Sequence, residues 1–397
     1  MIEIINKEDC CGCGACVQRC PKHCISMCED SEGFYYPNVD KNLCIDCGLC
    51  EKVCPVIHKS SSREPLRVYA GKNPNERVRL QSSSGGIFTL LAEYFIRENG
   101  VVFGARFDNE WGVVHDYTET IDGIVAFRSS KYVQSKINSC YSQAEIFLKK
   151  GKRVLFTGTP CQIAGLKKFL RKDYDNLLAV EIFCHGVPSQ KVWKVYLKDL
   201  SNKQLDGSVP SAISFRDKTT GWRSYSFSID YGSKHFIQAS SKNLYMKGFL
   251  SHLYLRPSCH KCPAKQLSSD SDLSIGDYWG INKLKPGWDD GKGTSAILVN
   301  TEKGVEVLSH IDLDCCEMSY KSVCLYNPAL VDSADCNVQK RTQFFSSGEE
   351  HYMEEINQLT KESFVERFKK LISRVLFRIV DRDSLNIMIA LITNKNK

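Results

Sequence analysis

The spacing of the first cysteines constrains this chain more than any other feature. Read from Cys10, the run is Cys10-x2-Cys13-x2-Cys16-x3-Cys20-Pro21, and it returns intact as Cys44-x2-Cys47-x2-Cys50-x3-Cys54-Pro55. Gaps this short let consecutive backbone turns aim several thiolates at one inorganic core, and the proline ends each run by fixing φ and removing a donor. The pattern suits two [4Fe-4S] cubes, in which three cysteines of each run hold one cube and the fourth ligates the other. That assigns Cys10, Cys13, Cys16 and Cys54 to one cluster, and Cys44, Cys47, Cys50 and Cys20 to the second. Paired zinc ribbons want a wider gap between two cysteine pairs, and two complete copies in register do not look like that.

With 397 residues the chain exceeds what one core supports, and roughly two to four domains are expected. The longest apolar run, Leu385 to Thr393, is too short to span a bilayer. No charged-then-apolar leader follows Met1. Many cysteines without such a leader imply a reduced cytoplasmic setting and metal ligation rather than disulfides. The formal charge of +7 counts cysteines as neutral. Cluster-bound thiolates would offset part of it, so nothing here asks for nucleic acid, while a mild basic excess suits anionic ligands such as dinucleotides.

The expected fold class is a multidomain α+β and α/β chain. Residues 1–58 form a bacterial ferredoxin-like unit, with Ile25 to Val39 as a hairpin over the clusters, and His58 to Arg63 reads as a linker. An α/β body follows in two halves, 65–150 and 151–335, with a helical tail at 350–397. In the first half, Gln81-Ser-Ser-Ser-Gly-Gly86 leads into a helix over 87–96. Its serines are expected to cap that helix, and such a turn is also a ready anion site. Phe127 to Ser135 is a polar segment holding Arg128, Lys131 and Tyr132. In the second half, a strand over 152–157, the turn Gly158-Thr-Pro160 and a helix from Cys161 place that thiol at a helix N-terminus, where the dipole lowers its pKa. Leu177 to Phe183 repeats the design ahead of Cys184-His-Gly-Val-Pro-Ser189, delivering two cysteines to the ligand-binding edge of one sheet. Strands are expected over 111–117, 212–215, 224–230, 235–239, 272–279 and 295–300, and a helix over 243–253.

Cys259-x2-Cys262-Pro263 supplies two more thiols. With Cys161 and Cys184 they suffice for a third cube or for a zinc site, and spacing does not choose between them. Cys11, Cys24, Cys28, Cys140, Cys315, Cys316, Cys324 and Cys336 have no ligand spacing, and the first three read as spectators. In the tail, Phe364, Phe368, Leu371, Val375, Leu376 and Ile379 share a face amid lysines and arginines. Such a helix suits its own domain or a partner, and less often a membrane surface.

Taken together, Gly158-Thr-Pro-Cys-Gln162, Phe183-Cys-His-Gly-Val-Pro-Ser189, Cys259-x2-Cys262-Pro263 and Asp272-Leu-Ser-Ile-Gly-Asp277 resemble the family of coenzyme F-420 hydrogenase/dehydrogenase beta subunits. Ser84-Gly-Gly86 and Ser130 to Ser135 resemble its N-terminal half, so the likeness spans about residues 65 to 330. The resemblance implies an iron–sulfur flavoprotein body with Cys161, Cys184, Cys259 and Cys262 on a third [4Fe-4S] cluster beside FAD. It places Ser84, Gly85 and Gly86 against the FAD pyrophosphate and Lys131, Tyr132 and Ser135 along the flavin, and counts Gly158 and Thr159 with the cofactor site. His185 would be a proton donor near the flavin, against the more ordinary reading of a structural or cluster-facing histidine. No G-x-G-x-x-G follows a strand, so a Rossmann site is unsupported.

The activity implied is a flavin- and iron–sulfur-dependent oxidoreductase. Reduced ferredoxin or another redox protein would be the donor and a small molecule the two-electron acceptor. A ferredoxin unit ahead of such a body resembles a version found with cell-surface polysaccharide genes. The alternatives are a non-catalytic electron-transfer subunit of a larger complex and, third, a zinc-binding structural protein.

Overall fold

The computed structural model describes residues 1–205 and 207–361. The amphipathic basic helix expected from Phe364 to Ile379 lies outside them. Strands β1 (Ile25–Glu29) and β2 (Tyr35–Val39) form an antiparallel hairpin between the two cysteine runs. The segment read as a linker has no regular structure but is tied down, with the Arg63 amide donating to the Gln266 carbonyl at 3.2 Å.

The body is built on one eight-stranded sheet that draws strands from both expected halves. In chain order these are β3 (Arg67–Lys72), β4 (Val101–Phe107), β5 (Val113–Thr118), β6 (Val154–Gly158), β7 (Leu177–Ile182), β11 (Leu273–Asp277), β12 (Ser295–Val299) and β13 (Asp314–Glu317). Their spatial order is β13-β3-β12-β11-β7-β6-β4-β5. The stretch β4-β6-β7-β11 is parallel, and β12 runs antiparallel between β11 and β3. The central strands β6 and β12 are buried at every residue, as expected of strands covered on both faces.

Alternation decides the two faces. Val154, Phe156, Leu177 and Ala179 pack against helices Cys140–Lys149 and Pro160–Leu170. Leu155, Leu178 and Val180 meet Leu91 and Phe95 of helix Ile87–Arg97 on the other side. A second, three-stranded sheet orders as β10-β9-β8, with β8 at Ala212–Asp217, β9 at Ser226–Tyr231 and β10 at Lys234–Ala239. It carries an aromatic core in which fully buried Trp193 contacts Phe215 and Tyr245 at centroid distances of 4.9 and 5.1 Å.

Three local expectations are corrected. The serines do not cap helix Ile87–Arg97: Gly86 is its N-cap in a left-handed conformation (φ +83°). The hydroxyls are spent elsewhere, Ser82 on the Val78 carbonyl, Ser83 beside Ser129 and Ser84 on the Thr294 carbonyl. Strand β5 begins at Val113 rather than Trp111, because the Asp108 carboxylate accepts from the Glu110 and Gly112 amides and the turn puts Trp111 at φ +59°. The helix after Asn243 stops at Leu250, where Ser251 caps it and His252 turns left-handed.

Candidate functional site

All parallel strands end at one edge, and the cysteines of the body are delivered there. Thr159 caps the helix that follows β6, its amide bonded to Gln162 Oε1 at 2.9 Å, which fixes Cys161 in the first turn. Cys184 follows β7 by two residues. Cys259 lies in a 3-10 turn, Pro257–Lys261, and Cys262 caps its C-terminal end, with Ser333 and Ala334 holding both from behind. The four thiols lie close enough to act on one another: burial pushes Cys184 up to about 12, with Cys161 and Cys262 adding to it. Burial raises Cys259 and Cys262 as well. Cys161 goes the opposite way from the helix-dipole expectation. The Cys11 thiol beside it and burial hold it well above the ordinary thiol range, because a neighbouring sulfur and desolvation together outweigh a dipole at a helix end.

The N-terminal cysteines surround two recesses. One is lined by Cys10, Cys11, Cys13, Cys16 and Cys54, the other by Cys20, Cys24, Cys44, Cys47 and Cys50. Cys54 therefore sits with the first run and Cys20 with the second. Backbone amides point at the sulfurs: Ile2 N to Cys50 Sγ at 3.2 Å, Asp46 N to Cys44 Sγ at 3.4 Å and, in the body, Val187 N to Cys259 Sγ at 3.4 Å. Among the described residues no three His, Cys, Asp or Glu side chains converge for a single metal ion. A [4Fe-4S] cube stands its thiolates farther apart than one ion would. Where these thiols are buried, as at Cys13, Cys16, Cys50 and Cys54, they become thiolates only against a cationic core, and the clustered all-sulfur donor sets fit iron–sulfur centres.

Cys11 and Cys24 have no ligand spacing, yet both are buried at these recesses. Cys24 Sγ is 3.4 Å from Cys20 Sγ. Cys11 and Cys13 share one buried cluster against which Cys161 packs, so the first recess abuts the body set. The contact surface is specific. Gly165 on the Cys161 helix leaves room for Cys13, since a Cβ there would stand 2.8 Å from the Cys13 Cβ. Gln18 Oε1 caps helix Cys140–Lys149 by accepting from the Tyr141 and Ser142 amides, both at 3.1 Å. Arg341 grips Glu32 through two bonds of 2.6 Å.

The residues carried over for FAD fall into two adjoining groups. In the first, Gly85 N bonds the Ser295 hydroxyl at 2.9 Å, and Ser83 Oγ accepts from the Ser130 amide, joining the Ser84–Gly86 turn to the Lys131–Tyr132 segment. Arg216, whose side chain is 2% exposed, lies between them. It binds both carboxylate oxygens of Asp277 (2.8 and 3.3 Å), the Tyr132 hydroxyl (3.1 Å) and the Ser83 carbonyl, and stacks 4.0 Å from the Tyr225 ring. Lys218 binds the carbonyls of Arg79, Ser84 and Lys292, and burial lowers its ammonium to about 7. Lys131 donates to the Arg128 and Ser129 carbonyls, and burial lowers it to about 7. Arg216 has its carboxylate. Among the described residues the hydrogen-bond partners of Lys131 and Lys218 are carbonyls, with Asp277 and Asp290 acting on Lys218 from farther off, and such under-compensated cations fit an anionic cofactor.

The second group, Ser135, Gly158 and Thr159, sits beside Cys161. Ser135 is turned inward: its hydroxyl pairs with His115 Nδ1 (2.9 Å) and accepts from Gln162 Nε2 (2.9 Å), while His115 Nε2 donates to the Thr157 carbonyl (3.0 Å). His185 Nε2 is 2.7 Å from His252 Nε2, and burial lowers His185 to about 4.

Sequence reasoning missed Arg216, Lys218, His115 and Arg256. The adjacency of Arg256 to Cys259 and the charged end of an alternating strand at Arg216 and Lys218 were the available signals. Asp272 and Asp277 were quoted only as a motif. The structure gives them work: Asp272 ties the Ala179 amide and the Thr301 hydroxyl across strands, and Asp277 holds Arg216 and Trp222 Nε1.

Comparison with known proteins agrees with both parts. Residues 151–319 match the family described as the C terminus of the coenzyme F420 hydrogenase/dehydrogenase beta subunit, and residues 9–57 match the 4Fe-4S dicluster domain. The coenzyme F420-dependent sulfite reductase of Methanocaldococcus jannaschii is 24% identical over 78% of this chain and 47% of its own length. One of the subunits of the F(420)H(2) dehydrogenase of Methanosarcina mazei is 22% identical over 50% of this chain and 62% of its own. The chain thus spans about half to three-fifths of these curated relatives. A chain from the xenon-derivatised F420-reducing [NiFe] hydrogenase complex of Methanosarcina barkeri superposes with a TM-score of 0.46 and 18% identity, over 67% of this chain and 89% of that one.

Proposed function

Because the chain joins a 4Fe-4S dicluster domain to the C-terminal region shared by coenzyme F420 hydrogenase/dehydrogenase beta subunits, we propose that it is an iron–sulfur flavin oxidoreductase. It takes electrons from a redox protein such as reduced ferredoxin and gives them in pairs to a small-molecule acceptor. The observation that carries this reading is the packing of Cys161 against the buried cluster that holds Cys11 and Cys13, with Gly165 of the Cys161 helix set against Cys13, which puts an N-terminal cysteine recess beside the first of the body cysteines.

In this reading residues 1–58 are the ferredoxin unit, and 65–150 with 151–335 are the body. Cys10, Cys13, Cys16 and Cys54 hold one cube, Cys44, Cys47, Cys50 and Cys20 a second, and Cys161, Cys184, Cys259 and Cys262 a third. When bound, the cubes supply one-electron steps and FAD joins two of them into a pair. Exposed Cys47 faces the donor. Ser84 to Gly86 and Lys131 bind FAD phosphate or ring oxygens, Tyr132 is oriented for the ring by Arg216, and Gly158 and Thr159 present Cys161. Ser135 acts one step back, holding Gln162 and through it the Thr159 turn. Coenzyme F420 is the acceptor to test first, because both curated relatives are named for it. The second relative is one part of a larger dehydrogenase, which favours as the second reading an electron-transfer subunit that needs a partner for catalysis.

Reductive titration of the anaerobically reconstituted chain should consume about five electrons, one for each of three clusters and two for FAD. Failure to take up FAD overturns the flavin assignment. Turnover by the single chain with reduced ferredoxin and F420 supports the enzyme over the electron-transfer role.

A further inference from the structure

Arg256 is 1% exposed and stands three residues before Cys259, yet most of its bonds reach into the N-terminal unit. Its Nε donates to the Cys10 carbonyl (2.7 Å) and Nη2 to the Tyr35 carbonyl (2.9 Å), and Nη2 stands 3.6 Å from Cys10 Sγ. Nη1 donates to Gln134 Oε1 (3.2 Å), whose own amide donates to the Cys11 carbonyl (3.2 Å). The guanidinium lies 4.4 Å from the Tyr36 ring centroid and 5.5 Å from that of Phe34. Gly12 accommodates it: φ is +70°, and a Cβ there would meet Nη1 at 2.8 Å. These bonds include no carboxylate. A buried cation without one is costly unless other negative charge faces it; the nearest such group is the Cys10 sulfur at 3.6 Å, with the Tyr36 hydroxyl and the Cys11 and Cys259 sulfurs beyond it.

We propose that Arg256 is a positioning residue shared by two cysteine sites: its charge raises the reduction potential of the centre held by Cys10, Cys13, Cys16 and Cys54, and its bonds to the Cys10 and Tyr35 carbonyls fix that centre beside Cys161 and Cys259. The inference rests on the iron–sulfur reading above. Reduction adds one negative charge to such a centre, and a fixed guanidinium in a water-poor interface favours that state.

The test uses the full chain, anaerobically reconstituted, as wild type, Arg256→Lys and Arg256→Gln. Iron is counted, and an EPR-monitored redox titration follows each centre, with the Cys10 centre identified as the signal lost in Cys16→Ser. Arg256→Gln is expected to keep its iron and to disfavour reduction of that centre about tenfold, about 59 mV for one electron, while Arg256→Lys restores most of the loss. Unmoved potentials in an iron-replete Arg256→Gln overturn the inference alone. So does loss of about four irons in both variants with unmoved remaining potentials, which makes the arginine a structural clamp only. A wild type without iron–sulfur signals fails the underlying reading instead, and this inference with it.

Discussion

Substituting His115 by Gln should flatten the acid limb of this protein's stability. The imidazole is 4% exposed, stacked 5.7 Å from the Phe156 ring, and held neutral between the Ser135 hydroxyl and the Thr157 carbonyl. Burial lowers its pKa from 6.5 to about 4. Between those values the unfolded chain binds a proton that the folded chain does not, so stability present above pH 6.5 is lost as pH falls towards 4. At about 1.36 kcal/mol per unit, the window holds about 3 kcal/mol. Protonation would also turn Nδ1 into a donor facing Ser135, loosening the Ser135–Gln162–Thr159 chain that seats Cys161. Urea unfolding between pH 4 and 7, followed by far-UV circular dichroism, measures the slope. His115→Gln should cost stability at neutral pH but lose about one proton's worth of slope relative to wild type. Equal slopes in the two proteins would refute the reasoning.

Asp277→Ala strips Arg216 of its carboxylate and should destabilise the chain by about 3–5 kcal/mol in chemical denaturation, with part recovered in the double variant carrying Arg216→Met. In flavin-free protein, Lys131→Met should gain on the wild type most at and below pH 7. That advantage should fade towards pH 10.5, because the lowered pKa makes wild-type stability rise across that window; a constant difference would show that the lysine is not held against its charge. Cys16→Ser should lower bound iron by about four per chain and leave FAD bound, and flavin loss in that variant would show that the N-terminal unit shapes the flavin site directly.

How far the sequence reached depended on the range of the interaction. The ferredoxin hairpin, the helices after Gly86 and Pro160, and strands β6, β7 and β12 follow from local periodicity, and Cys161 and Cys184 sit where β6 and β7 end. Cys11 was set aside because ligand spacing along the chain says nothing about Cys161, 150 positions away, which packs against its cluster. The same holds for Arg256 and Cys10 and for Gln18 capping a helix that begins at Cys140: each is a contact between units. The Ser82–Ser84 run misled because three hydroxyls before a helix are ordinary caps, whereas here Gly86 takes the left-handed cap and the hydroxyls brace neighbouring loops. The thiol of Cys161 misled in the same way, since a helix N-terminus is visible in sequence and its burial is not.

The central claim is that the body cysteines hold a third iron–sulfur centre against the N-terminal pair, and iron counting tests it most directly. Anaerobically reconstituted wild-type chain should hold about twelve irons, and the Cys259→Ser/Cys262→Ser variant about eight, at four per cube. Equal iron in the two proteins, or zinc in place of the lost four, would contradict it.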